Sequence, residues 1–158
     1  MAKARTTTVV RASVMDRLSG THGGSGSIGL REIKQSVFRD LQWLLNSRRW
    51  WPTEFEPLEE IPTSILNYGV PDTSTYSWVA AEDQHKVCSV IETVIKTFEP
   101  RLVPRTIRVT LVEREGVDDF SVRMRIEAVL AVDPFTEAVS FDTDLDVDTG
   151  GFQMKSMS

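Results

Sequence analysis

Between Val87 and Leu102 the hydrophobic period of the chain changes, and the rest of the sequence has to fit around that change. Val87, Val90, Ile91, Val94, Ile95 and Phe98 fall at i, i+3, i+4, i+7, i+8 and i+11, which lines one helical face with apolar groups. Pro100 has no N–H to donate and turns the residue before it away from helical backbone, so the helix stops at Phe98 or Glu99. Beyond it the period is 2: Ile107, Val109 and Leu111 alternate with Arg108, Thr110 and Val112. Glu99 and Arg101 flank the proline on a stiff elbow. The planar fork of arginine binds a carboxylate in bidentate fashion, and a buried pair of this kind must satisfy all its partners. Two roles fit the elbow: an internal salt bridge that sets how helix meets sheet, and a contact with a partner.

A first long helix is expected over 30–48. Leu30, Ile33, Val37, Leu41 and Leu44 form its apolar stripe, widened by Phe38 and Leu45, with Arg31, Lys34, Gln35, Arg39 and Gln42 on the wet side. Trp50-Trp51-Pro52 follows, too much aromatic surface to leave wholly exposed. The stretch 61–72 reads as a compact connector that turns Ile65, Leu66 and Tyr68 inward, with Gly69 free to take positive φ. After the elbow, Phe120 to Leu130 and Val139 to Val147 alternate like Ile107 to Leu111. Three strands joined by short turns form a meander with one face on the helices. The expected fold is α+β: two main amphipathic helices packed on one face of a small antiparallel β-meander, over residues 30–150, with 151–158 a disordered tail.

Residues 1–29 read differently. Ser13-Val14-Met15-Asp16-Arg17-Leu18 is a short hook with apolar anchors at Val14, Met15 and Leu18 and a capping pattern from Ser13 to Asp16. Thr21 to Gly29 carries four glycines and two serines, the composition of a flexible linker. An anchor, a loose linker and a globular body is the layout of a tethered recognition peptide. A terminus that folds back on its own domain uses the same residues.

Composition narrows the chemistry. The single cysteine, Cys88, excludes an internal disulfide and a multi-cysteine metal site, and its place beside the apolar stripe is that of a packed thiol. No window holds the 18 apolar residues of a membrane span, and no apolar run opens the chain as a signal peptide does, so a cytoplasmic protein without membrane insertion is expected. Residues 1–31 carry five cations against Asp16 alone, and 133–158 carry six acids against Lys155. Without interleaved aromatics or a reading module, the basic end does not point to nucleic acid. Asp142, Asp144, Asp146 and Asp148 alternate with apolar residues, which is one face of a strand and not a calcium loop; Arg108, Arg123 and Arg125 stand ready as cross-strand partners. His22 and His85 lie in no motif, and no phosphate loop, nucleophile elbow or zinc spacing occurs, so no cofactor, metal or catalytic residue is assigned.

Four motifs in this order carry a resemblance: Ser13-Val14-Met15-Asp16-Arg17-Leu18, Asp40-Leu41-Gln42-Trp43-Leu44-Leu45-Asn46-Ser47-Arg48, Ser64-Ile65-Leu66-Asn67-Tyr68-Gly69-Val70-Pro71-Asp72 and Phe98-Glu99-Pro100-Arg101-Leu102. Together they resemble the TssE subunit of type VI secretion baseplates and the small wedge protein of contractile phage tails, a family often labelled lysozyme-like. The resemblance spans about residues 13 to 150; the Thr-rich start, the linker and the aspartate ladder lie outside its motifs. It implies a non-catalytic structural protein at the inner-membrane-docked baseplate, which joins the wedge to the first ring of the contractile sheath. It implies wedge subunits of the TssF, TssG and TssK type and sheath subunits of the TssB and TssC type as partners; the two open edges of the expected meander make strand addition the expected way in which the sheath subunits bind. Glu99, Pro100 and Arg101, with the hook residues Val14, Met15, Asp16, Arg17 and Leu18, are the expected partner-binding residues. The alternatives are a muralytic, lysozyme-like hydrolase and a cytoplasmic adaptor domain.

Overall fold

The computed structural model describes residues 18, 29–49, 59–73, 76, 80–112, 121–133 and 135–158. Helix α1, Leu30–Asn46, starts where the Glu32 carboxylate reaches back to accept the Gly29 N–H at 2.8 Å, which places its charge at the positive end of the helix dipole. Its stripe of Ile33, Val37, Leu41, Leu44 and Leu45 is buried as the periodicity requires. The helix stops two residues earlier than expected. The Ser47 hydroxyl donates to the Trp43 C=O at 2.8 Å, and Ser47 turns extended so that Arg48 bridges Val70.

The connector closes this end. Two single 3-10 turns, Ile61–Thr63 and Ile65–Asn67, lead to Gly69 at φ +108°, where a Cβ would stand 2.2 Å from the Ser47 carbonyl oxygen. Tyr68 packs edge-on against Phe98, with ring centroids 5.3 Å apart. Ile65 and Leu66 do not turn inward as expected: they are 86% and 48% exposed. The second turn buries none of its residues; the connector reaches the interior through Ile61, Val70 and the partly buried Tyr68.

Helix α2, Ala81–Phe98, buries Val87, Cys88, Ile91, Val94 and Ile95 and ends at the elbow as Pro100 demands. Strands β1 (Arg108–Leu111), β2 (Ser121–Val132), β3 (Phe135–Asp146) and β4 (Phe152–Met157) form one antiparallel sheet in sequence order. Met124, Ile126, Ala128 and Leu130 of β2 and Val139, Phe141 and Leu145 of β3 point toward the helices, where the core lies. Helix α1 runs beside β4 and α2 beside β1.

The α+β class stands, with one strand more than expected. Residues 151–158 are not a disordered tail; Phe152–Met157 is the edge strand, and β3 is therefore interior. A bulge between Asp142 and Thr143 shifts the β3–β4 register, so the apolar residues of β4 fall at 152, 154 and 157 and no simple alternation is left to read. On the sheet face away from the helices two of the three expected arginines pair with the aspartates; Arg108 does not, because it stands on β1 opposite Glu127, with β2 between it and β3. Arg123 grips Asp144 at 2.8 and 3.1 Å, and Arg125 grips Asp142 at 2.8 and 3.4 Å, across adjacent strands. Asp146 instead closes the β3–β4 turn, accepting the N–H groups of Asp148 and Thr149.

Candidate functional site

The elbow is built by backbone first. The C=O of Glu99 accepts the Leu102 N–H at 3.2 Å, making a turn with Pro100 at the position where its fixed φ fits best. The chain then runs antiparallel to the end of β2: Ala131 N–H donates to Arg101 C=O, Val103 N–H donates to Val129 C=O, and Leu102 bridges Leu130. The Thr106 hydroxyl continues this edge by accepting the Val129 N–H at 2.9 Å.

On this frame Glu99 is 3% exposed. Arg101 closes over it in bidentate fashion, Nε to Oε1 at 2.7 Å and Nη2 to Oε2 at 2.6 Å, and the Arg101 backbone N–H adds a third bond to Oε1. The guanidinium then reaches α1, donating to Ser36 Oγ at 3.0 Å and to Asp40 Oδ2 at 2.6 Å. Burial pulls the Arg101 pKa down, but Glu99 and Asp40 outweigh it and hold the cation above its ordinary value. Arg39 binds the outer oxygen of Asp40 at 3.1 Å and lies 5.0 Å over the ring of Trp43. Tyr68 borders the cluster; burial first, then the charges of Asp40 and Glu99, raise its pKa.

The elbow residues named from sequence therefore come together, and the internal salt bridge is real. The same cluster meets solvent, since the Arg101 and Asp40 side chains keep about a quarter of their surface exposed. Exposed apolar groups stand near its members in the chain, Trp43 one turn after Asp40 on α1, and Ile65 and Leu66 just before Tyr68. Sequence reasoning missed Ser36, Asp40 and Tyr68 as cluster members. Ser36 and Asp40 stand at i and i+4 beside the apolar stripe, and that was the available signal. Of the hook, Val14, Met15, Asp16 and Arg17 lie outside the described residues, as do Trp50 and Trp51; Leu18 is helical and 78% exposed. No group of three or more His, Cys, Asp or Glu among the described residues could hold a metal. No helix among them is long and apolar enough to cross a membrane.

The family model for baseplate wedge protein gp25 matches residues 31–134, which takes in α1, the connector, α2, the elbow, β1 and β2. The chain belongs to the gp25 baseplate wedge family. The resemblance to TssE and the phage wedge protein read from the four motifs falls in this same family. Among solved structures, a chain of "The baseplate complex from the type VI secretion system" is similar at 17% identity and a TM-score of 0.49, over 72% of this chain and 94% of that one. No curated protein matches. As a member of the gp25 wedge family the protein is a baseplate component, and the elbow cluster lies wholly inside the matched residues.

Proposed function

We propose that this wedge-family protein is a non-catalytic structural piece of a type VI secretion baseplate, acting on its cytoplasmic side as the link between the wedge and the first ring of the contractile sheath. The observation that carries this reading is the family match over both helices and the elbow. Glu99, Pro100 and Arg101 bind wedge subunits of the TssF, TssG and TssK type, with Asp40 held in place by Arg101 and with Trp43, Ile65 and Leu66 as the apolar part of the same surface. The hook Val14, Met15, Asp16, Arg17 and Leu18 is a second, tethered anchor on the wedge. Sheath subunits of the TssB and TssC type join by strand addition to a free sheet edge.

The muralytic alternative fits the carboxylates poorly. A glycosidase acid needs a raised pKa. Asp142 is held below its ordinary value by hydrogen bonding to Arg125, and Glu92, against its partial burial, by Lys96 and the Val109 N–H. Glu99 is closed by Arg101.

Affinity purification of the full chain from cells that express baseplate and sheath proteins tests the reading. Wedge and sheath subunits are expected to co-purify, and purified peptidoglycan is expected to keep its turbidity. Cleared peptidoglycan, or neither partner retained, overturns it.

A further inference from the structure

Each edge of the sheet is partly closed by the helix beside it. At the β1 edge the Val109 N–H donates to Glu92 Oε1 of α2 at 3.0 Å, and Lys96 steadies that carboxylate at 2.8 Å. At the β4 edge two carboxamides one helical turn apart on α1 do more. The Phe152 N–H donates to Asn46 Oδ1 at 3.0 Å, and the Phe152 C=O accepts from both Asn46 Nδ2 and Gln42 Nε2 at 2.8 Å. The Met154 N–H donates to Gln42 Oε1 at 2.9 Å. Three consecutive outward backbone groups of β4 thus bond to side chains as they would to a neighbouring strand.

Further along β4 the situation reverses. Ser140 and Ser158 exchange N–H to C=O bonds in both directions at 2.9 Å, so the alternation of an antiparallel ladder turns the N–H and C=O of Met157, opposite Phe141, away from β3. The sheet face near this end holds a shallow cleft lined by Thr106, Glu127, Val129, Ala138, Ser140 and Ser158. Strands pair about 4.8 Å apart, and alongside Phe152 to Met154 that space is filled by the carboxamides of α1.

Resting on the strand-addition reading above, we propose that Gln42 and Asn46 act as a substitute strand that ends the sheet at Met154 and sets the register of the partner. The extended sheath segment pairs with β4 from Lys155 onward, through Met157, and does not pass back over Phe152 to Met154. Gln42 and Asn46 are positioning residues for that contact.

Residue-resolved amide hydrogen exchange on the full chain, free and bound to purified TssB/TssC-type sheath subunits, tests this. In the free protein, Asn46→Ala is expected to speed exchange at Phe152 by on the order of tenfold and leave Met154 slow, while Gln42→Ala does the converse at Met154. Equal acceleration at both amides in each variant marks plain destabilisation and overturns the substitute strand. In the wild-type complex Met157 is expected to gain protection, with Phe152 and Met154 unchanged. In the double variant protection by sheath extends back to Phe152. A wild-type complex in which protection rises at Val109 and Leu111 instead, or nowhere in the sheet, overturns the register. Sheath that fails to bind at all sinks the strand-addition reading, and the free-protein exchange still judges the carboxamides alone.

Discussion

Arg101 Nη2 lies 2.6 Å from Asp40 Oδ2 and 2.6 Å from Glu99 Oε2, so one nitrogen ties the elbow to a helix 61 residues earlier in the chain. Removing this guanidinium leaves Glu99 buried without its counter-ion. Breaking a buried pair in this way costs about 3–5 kcal/mol, so Arg101→Ala is expected to weaken folding as well as wedge binding. Arg101→Lys is expected to restore little, because a point charge cannot serve Glu99, Ser36 and Asp40 together. Urea denaturation beside wedge pull-downs reads both effects; a loss of stability below about 1 kcal/mol overturns the view that Arg101 holds the elbow together.

Thr143 is 1% exposed, and its Oγ1 has no hydrogen-bond partner among the described residues. A buried hydroxyl left unpaired costs about 1–3 kcal/mol. Thr143→Val keeps the shape and removes that cost, so the variant is expected to be more stable by about 1 kcal/mol in chemical denaturation. A less stable variant would show that the hydroxyl is satisfied in solution.

Gly69→Ala is expected to destabilise the domain. The residue sits at φ +108°, and the new Cβ would press on the Ser47 carbonyl that accepts the Val70 N–H at 2.8 Å. Backbone strain alone is of order 1–3 kcal/mol. Thermal melts at matched concentration measure the loss, and an unchanged melting temperature contradicts it.

Glu92 gives a pH dependence with a defined sign. Its folded-state pKa is depressed by Lys96 and the Val109 N–H, which outweigh its partial burial. Its contribution is therefore complete above the pKa of a free glutamate, about 4.3, and fades as pH falls through the lower folded value. Stability measured from pH 6 to pH 3 is expected to drop less steeply in Glu92→Gln than in the wild-type chain. Parallel curves would remove Glu92 from the account.

Deleting residues 1–19 is expected to leave the melting temperature within about 2 °C, because residues 21–29 have the composition of a flexible linker and Leu18 is exposed. Retention on the wedge is expected to fall. A large drop in melting temperature would place Val14, Met15 and Leu18 on their own domain.

Much of the layout was open to a sequence reading because it rests on local rules. The end of α2 at Phe98 follows from one proline, and the cross-strand partners Arg123 and Arg125 follow from alternation beside an aspartate ladder. β4 escaped because its bulge at Asp142/Thr143 breaks the period, although the hairpin signal was present: Gly150 at φ +64° follows an Asp146 that caps the turn. Ile65 and Leu66 were misplaced because apolar character does not say which way a single turn faces.

Sequence alone determined the two helices, the change of period at Glu99-Pro100-Arg101, the α+β class and the wedge-family motifs, since each depends on residues within a few turns or strand positions of one another. Tertiary structure decided that Arg101 serves Asp40 and Ser36 as well as Glu99, and that Gln42 and Asn46 close the β4 edge. Those contacts join residues 61 to 112 positions apart. A side chain that can pair with many groups acquires its partners only when packing of the apolar stripes brings α1 against the elbow on one side and against β4 on the other.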